Sequence, residues 1–322
     1  MIARRNVLLG LLAAPALVRR VWADDAPIRL FVGGPAGSSV DQGARSFTPF
    51  LERHWPGARV SVVNIPGEVG LAALRALGAA PLDGRALAWV STPALPARAV
   101  DHRGAEHLLD SLALVGAVER ELIAIVTQAG SELASARDFI ARLNENGASV
   151  PIGTPPSGSA PHLAALRLQA MSGTPLNIVA FPSGAAARQA ALSGNVAAAL
   201  LALGDVVEFL RAGKLAGLGI ATHRRADAFP DLEPLHDAGL PLSAAIQRGI
   251  AVAAGGSPDA TMALATSLQA IVADPEFAAQ GEQAGFKPAW LPGDAWAAQA
   301  MLDRASLARL WASEPWLSIG LG

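Results

Sequence analysis

"PIRLFVGGPAGSSVDQGAR", residues 27–45, compresses a strand, a turn and a helix start into one line. Apolar residues run from Ile28 to Val32. Glycine and proline then break the chain, and Ser38 and Ser39 stand ahead of a run with helical apolar spacing. The pattern predicts a strand ending near Val32 and a helix beginning near Ser39 or Val40. The same grammar recurs in "PIGTPPSGSAPHLAALRL", residues 151–168. Such junctions matter because the first turn of a helix has N–H groups without intrahelical partners, and the helix dipole adds partial positive charge there. Together these favour a carboxylate, phosphate or sulfate.

The residue types sharpen this reading. Glycine lets the backbone approach a ligand closely, and Ser38, Ser39, Ser157 and Ser159 carry hydroxyl donors. Pro155, Pro156 and Pro161 have no N–H, so the donors of the second loop come from Ser157, Gly158, Ser159, Ala160 and His162. Pro161 suits a first helical position. Asp41 falls in the first turn of its helix, where it favours the dipole and repels an anion; it reads as a structural or water-ordering residue. Neither loop has the Gly-Lys-Ser/Thr of a nucleotide P-loop, and Gly-x-Gly-x-x-Gly is missing from both.

Strand-like runs at 28–33, 59–64, 86–91, 112–118, 122–127, 176–181 and 215–222 alternate with helix-like runs at 41–54, 69–79, 135–144, 161–172 and 184–193. Alternation of this kind predicts parallel sheets with helices on both faces, in two α/β units. From Pro258 onward the sequence reads as helices only, at 258–272, 275–284 and 293–312, separated by Pro275, Pro288 and Pro292. Ligands of open α/β sheets bind where strands end and helices begin, so chemistry belongs at the junctions.

The chain has 322 residues, 52% of them hydrophobic, a net charge of −2 and no cysteine. That is ample for sizeable cores and gives no basic patch for nucleic acid. Without cysteine there are no disulfides, thiolate nucleophiles, iron–sulfur clusters or lipid-modified N-terminus. Residues 1–23 read as a signal peptide: a basic start at Arg4-Arg5, an apolar run from Val7 to Val18, and small residues at Val21 and Ala23 before the cut. Arg4-Arg5-Asn6-Val7-Leu8 resembles a twin-arginine signal, which exports folded protein. The apolar run is too short to span a bilayer, and no later run is longer, so the mature chain is expected to be soluble outside the cytoplasm.

Five stretches in order carry a family resemblance. Residues 27–45 are similar to P-I-R-L-V-V-P-F-P-P-G-G-x-x-D-x-x-A-R, and "VVNIPGEVG" (62–70) to V-E-N-R-P-G-A-G-G. "APLDGRALAWVST" (80–92) resembles A-P-D-G-Y-T-L-L-x-G-T, and "GTPPSGSAPHLAALRLQAMSG" (153–173) resembles A-S-x-G-x-G-S-x-x-H-L-A-x-E-L-F. "GKLAGLGIATHRRADAFPDLEPLHDAGLP" (213–241) is similar to G-K-L-R-A-L-A-V-T-S followed by P-D-V-P-T-x-x-E-A-G-L-P. The pattern resembles the Bug-type periplasmic solute receptors of tripartite tricarboxylate transporters over nearly the whole mature chain.

That resemblance implies an α/β, two-lobed periplasmic-binding-protein-like fold, type II-like, with a ligand cleft between lobes. Residues 24–122 with 245–322 would form one lobe and 123–244 the other. It implies a monomeric periplasmic receptor that closes on a small organic acid and delivers it to membrane transporter subunits or a sensor protein, with no cofactor, metal, catalysis or nucleic-acid partner. By matching position, the ligand-binding residues are Ala36, Gly37, Ser38 and Ser39; Asn64, Pro66 and Gly67; Ser91 and Thr92; Ser157, Gly158, Ser159 and His162; and Phe181, Ser183 and Gly184. Departures bear on the ligand. Gly34 replaces an aromatic, Ser38 a glycine, and Phe181-Pro182 a Tyr-Lys pair; Leu201 stands where aspartate is common. Gln247-Arg248 replaces an aromatic pair, which makes Arg248 a candidate to face the ligand.

Competing readings are weaker. His102 and Glu106 stand four apart and would share a helix face, but no third metal ligand accompanies them. Ser157, Ser159 and His162 invite a hydrolase reading, yet Gly-x-Ser-x-Gly is absent, and a serine three residues before a histidine at a helix start is a cap pattern. A ligand-free sensor or signalling module stays open. Trp290, Trp296, Trp311 and Trp316 read as packing for the tail helices.

Overall fold

A computed structural model describes residues 27–226 and 229–317; the signal-peptide reading falls outside them. The elements, in order, are β1 (Ile28–Val32), α1 (Ser39–His54), β2 (Val60–Asn64), α2 (Leu71–Gly78), β3 (Ala86–Thr92), α3 (Ala94–Asp101) and β4 (Leu112–Gln128). Next come α4 (Ala136–Asn146), β5 (Pro151–Thr154), α5 (Ala160–Ser172), β6 (Asn177–Ala180), α6 (Gly184–Leu192), β7 (Ala198–Ala202), α7 (Leu203–Arg211) and β8 (Leu215–Ile220). The chain ends with β9 (Ala245–Ala253), α8 (Pro258–Val272), α9 (Pro275–Ala284), β10 (Phe286–Pro292) and α10 (Gly293–Ser313).

Strands order as β2-β1-β3-β9-β4-β7-β5-β6, with β8 and β10 also on β4. One unit gathers β2, β1, β3, β9 and β10 around the first part of β4; the other gathers β7, β5, β6 and β8 around its last residues. In each unit the sequence alternation produces a parallel trio, β2-β1-β3 and β6-β5-β7. The expectation of wholly parallel sheets needs correction, because β4, β8, β9 and β10 pair antiparallel. Their connections reverse direction at the strand that both units share.

Period-two alternation places the cores. Leu30 and Val32 of β1 turn toward Phe47, Leu51, Leu268 and Phe277, whereas Phe31 turns to the opposite face with Leu71, Leu77 and Trp296. In β4, Ile123 and Ile125 pack with Phe139, Ile152 and Leu168, while Ala124 and Val126 face Ala187, Leu201 and Val206. A fifth cluster joins the units: Ala97 of α3 packs with Leu163 and Leu166 of α5, Leu307 of α10 and Trp316.

Three readings of the sequence need correction. Residues 112–118 and 122–127 form one strand, not two; the polar triplet Glu119-Arg120-Glu121 looked like a break because its partners lie far away in sequence. Residues 286–292 form a strand inside the stretch read as helical; "FKPAWLP" pairs irregularly with β4, where its prolines are tolerated. His102 and Glu106 share no helix face: α3 ends at Asp101, and Glu106 accepts from Gly104 N–H in a turn. Among the described residues no group of histidine and acidic side chains is arranged to hold a metal, and no helix is long and apolar enough to cross a membrane.

Candidate functional site

The first loop, 33–38, links β1 to α1. Ser38 caps the helix, and its Oγ accepts Asp41 N–H at 3.4 Å. Asp41 is buried and is the hub of this corner. It accepts from Gly37 N–H at 2.8 Å, Arg45 Nε at 3.0 Å and Asn64 Nδ2 at 2.9 Å. Burial pushes its pKa up, but these bonds, Arg45 foremost, prevail and hold it below the usual value. Asn64 also donates to Gly34 O at 2.9 Å, tying the end of β2 to the loop. The structural role read for Asp41 therefore has a defined geometry. Gly37 N–H and the Asn64 amide are engaged by the protein itself, and Ala36, Gly37, Ser39, Pro66 and Gly67 lie exposed. Gly33 packs directly on Gly70; a Cβ there would come within 2.6 Å of Gly70 Cα.

The second loop, 155–159, links β5 to α5 and is more enclosed. Ser159 is the cap, its Oγ accepting His162 N–H at 3.4 Å; Pro161 takes the second helical position, one residue later than expected. Gly158 N–H donates to His162 Nδ1 at 3.4 Å. Burial, reinforced by Arg98, lowers the His162 pKa to about 4, so the ring is neutral. Ser39 and Ala160 are the first residues of α1 and α5. Their N–H groups have no intrahelical acceptor. The cap hydroxyls accept through oxygen and keep a proton to donate.

The remaining predicted residues lie at or just beyond the ends of β3 and β6. Ser91 and Thr92 end β3 opposite Arg248 and Gln247. The Thr92 hydroxyl is buried; it accepts from Trp296 Nε1 at 3.0 Å and contacts Gln247 Oε1 at 3.4 Å. Ser183 caps α6. Gly184 lies beneath the Asp205 carboxylate, which a Cβ would strike. Phe181 packs on the cluster that contains Leu201, and Leu201 itself is fully buried.

Two charged groups lie beyond the predicted ligand residues; of their members the sequence singled out only Arg248, and the structure pairs it with Glu121. The first lies on β4 and β9. Arg248 pairs with Glu121 and stands 3.7 Å from Glu119, and Glu121 Oε1 accepts Gly204 N–H at 2.6 Å. Burial, then the Glu121 charge, raises Glu119 to about 8 against the pull of Arg248; burial and Glu121 raise Asp205 to about 6. Glu119 and Glu121 were legible only as alternate residues on one strand face. The second is Arg98 on α3. Its NH2 donates to Asp101 Oδ2 at 2.5 Å, and a Cβ on Gly158 would collide with its guanidinium. Asp101 also accepts from Trp316 Nε1 at 2.7 Å and bonds His102 Nδ1 at 2.6 Å. An arginine within "ALPARAV", with an aspartate three residues on, was the available signal.

Two α/β units sharing a strand, with glycine-rich junctions at the ends of their parallel strands, define a bilobal fold of the periplasmic-binding-protein-like class. Residues 54–303 match the model of the tripartite tricarboxylate transporter family receptor, TctC, and the chain belongs to that family. It is 29% identical over 279 residues to a UPF0065 protein of Bordetella bronchiseptica, covering 85% of this chain and 81% of that one. It is 27% identical over 217 residues to protein BugT of Bordetella pertussis, covering 67% and 66%. Among solved structures, R. palustris Rpa4515 with adipate superposes with a TM-score of 0.79 at 18% identity, over 89% of this chain and 96% of that one.

Proposed function

We propose that the protein is a periplasmic receptor that captures a small carboxylate between its two units and presents it to a membrane transporter, without chemical turnover. Residues 24–122 with 245–322 and residues 123–244 act as the lobes, closing about β4 and β9. The observation that carries this reading is the pair of junctions, one per unit, whose first-turn N–H groups at Ser39 and Ala160 have no acceptor within their helices. Family membership supports it, and a structural relative holds adipate, a dicarboxylate. A serine hydrolase is disfavoured because Ser159 Oγ accepts the His162 backbone N–H while the His162 ring takes Gly158 N–H. Hydrogen bonds to a charged group contribute about 1.5–3 kcal/mol each. A few of them, less ordering and desolvation, reach the roughly −8 kcal/mol of a micromolar complex.

The test uses proline at first helical positions, where its missing N–H leaves the helix intact. Ser38 and Ser159 are both extended, as the residue before a proline prefers. The mature protein is expected to gain thermal stability with linear dicarboxylates, because a ligand of the native state stabilises it by mass action. S39P and A160P should each weaken that binding by about tenfold while the ligand-free melting temperature stays near wild type. Unchanged binding in both variants would remove these loops from the site.

A further inference from the structure

Arg98 is 2% exposed, and its Nε and NH1 atoms have no hydrogen-bond partner among the described residues. Arg248 on β9, by comparison, is paired with Glu121 and adjoins Glu119. Among the described residues Arg98 has Asp101 as its one acceptor, and that carboxylate is shared with Trp316 and His102. The guanidinium lies over Gly158, the residue before the cap of α5. It therefore crosses from α3 of one unit to the second junction of the other. The positive end of α5 meets it there, and His162 nearby is neutral and adds no negative charge. Burying a guanidinium is repaid best when its remaining donors are hydrogen-bonded, and two of the Arg98 nitrogens are not. Here the cationic donors and a helix N-terminus converge beside one carboxylate, Asp101, whose Oδ2 lies 3.0 Å from where a Gly158 Cβ would stand; Asp101 takes only NH2 of the guanidinium, and a further anionic oxygen would satisfy Nε and NH1.

Resting on the receptor reading above, we infer that Arg98 is the charged contact for the ligand's carboxylate at the α5 end of the cleft, with Asp101 as its positioning residue, and that it selects an ionised acid over the matching amide. A guanidinium gains a charge-assisted bond from a carboxylate that a neutral amide does not supply. Asp101, held by Trp316 and His102, fixes the guanidinium through NH2 and leaves Nε and NH1 for the ligand.

The experiment measures binding of the linear dicarboxylates from succinate to suberate, and of their monoamides, to the mature wild-type protein, R98Q and R98K. Wild type should prefer a diacid to its monoamide. R98Q with a wild-type circular dichroism spectrum should lose about 10- to 100-fold in diacid affinity and most of that preference. R98K should recover part of both. Folded R98Q with wild-type affinity and preference would overturn the proposal. Should R98Q fail to fold, the Arg98 Nε–H resonance of wild type, assigned by its loss in R98K, decides. Saturable movement with the diacid supports the contact, and an unmoved signal overturns it. Should no diacid bind wild type, the dicarboxylate-receptor reading fails on its own account. The same resonance is then titrated with acetate: saturable movement supports an anion socket at Arg98, and none overturns it.

Discussion

Gly158 meets two demands at once. Its φ is +75°, a conformation that L side chains resist, and the Arg98 guanidinium occupies the space a Cβ would need. Gly173, at the far end of the same helix, has φ +66° and open space around it. The two glycines separate backbone strain from contact. G173A should cost about 1 kcal/mol from strain alone, and G158A about 1–3 kcal/mol in all. Chemical denaturation checks this; equal costs would mean that Arg98 yields freely and does not hold this position. The glycine was legible in the sequence as part of a turn. The reason it must be glycine was not, because the atom that excludes a Cβ belongs to a residue sixty positions earlier.

At the scale of elements, the β1–α1 junction is stiffened by one carboxylate. Asp41 accepts from Gly37, Arg45 and Asn64, so it joins loop, helix and neighbouring strand. Its lowered pKa means that the folded state binds the proton less readily than the unfolded one. The stabilisation is full above the ordinary carboxylate value of 3.8 and is lost as pH falls through the lower folded value. D41A should cost about 2–3 kcal/mol at neutral pH, since it removes several hydrogen bonds to one charged acceptor. The gap between D41A and wild type should narrow in strong acid; a gap independent of pH would assign the effect to packing. The helices themselves were read well, with 258–272 and 275–284 matching α8 and α9. Proline at their starts supplied that signal. By contrast, α3 and α7 are not among the helix-like runs, because each starts within two residues of the end of its strand, with no intervening loop to mark it.

For the whole molecule, the shared strand β4 carries an unusual charge group where the units meet. Glu121 pairs with Arg248, and Glu119 holds its proton up to about pH 8. The sign follows from that raised value. Below its ordinary 4.5 Glu119 is protonated both folded and unfolded, and its contribution is fully present. As pH rises from about 4.5 to about 8, the unfolded chain sheds a proton that the folded protein retains, and stability falls. The slope is up to about 1.4 kcal/mol per pH unit. E119Q, which keeps a neutral side chain of the same shape, should flatten that decline and be more stable than wild type at pH 8. Parallel stability curves for the two proteins would place the proton elsewhere. Because β4 and β9 run through the proposed hinge, this group also sits where lobe closure would bend the chain.

What the sequence determined by itself was local. Strand, glycine turn and capped helix follow from neighbours within a few residues, and so the two junctions, the alternation of elements and the family resemblance were all readable along the chain. Tertiary structure decided which charges meet. Arg98 reaches Gly158 across the seam between units, Arg248 reaches Glu121 across two strands, and Trp316 closes on Asp101 from the end of the chain. Such pairs depend on burial and on distances of a few ångströms between segments up to 215 residues apart. Linear spacing contains no record of either, because the low dielectric that makes an unpaired charge costly exists only once the core has formed.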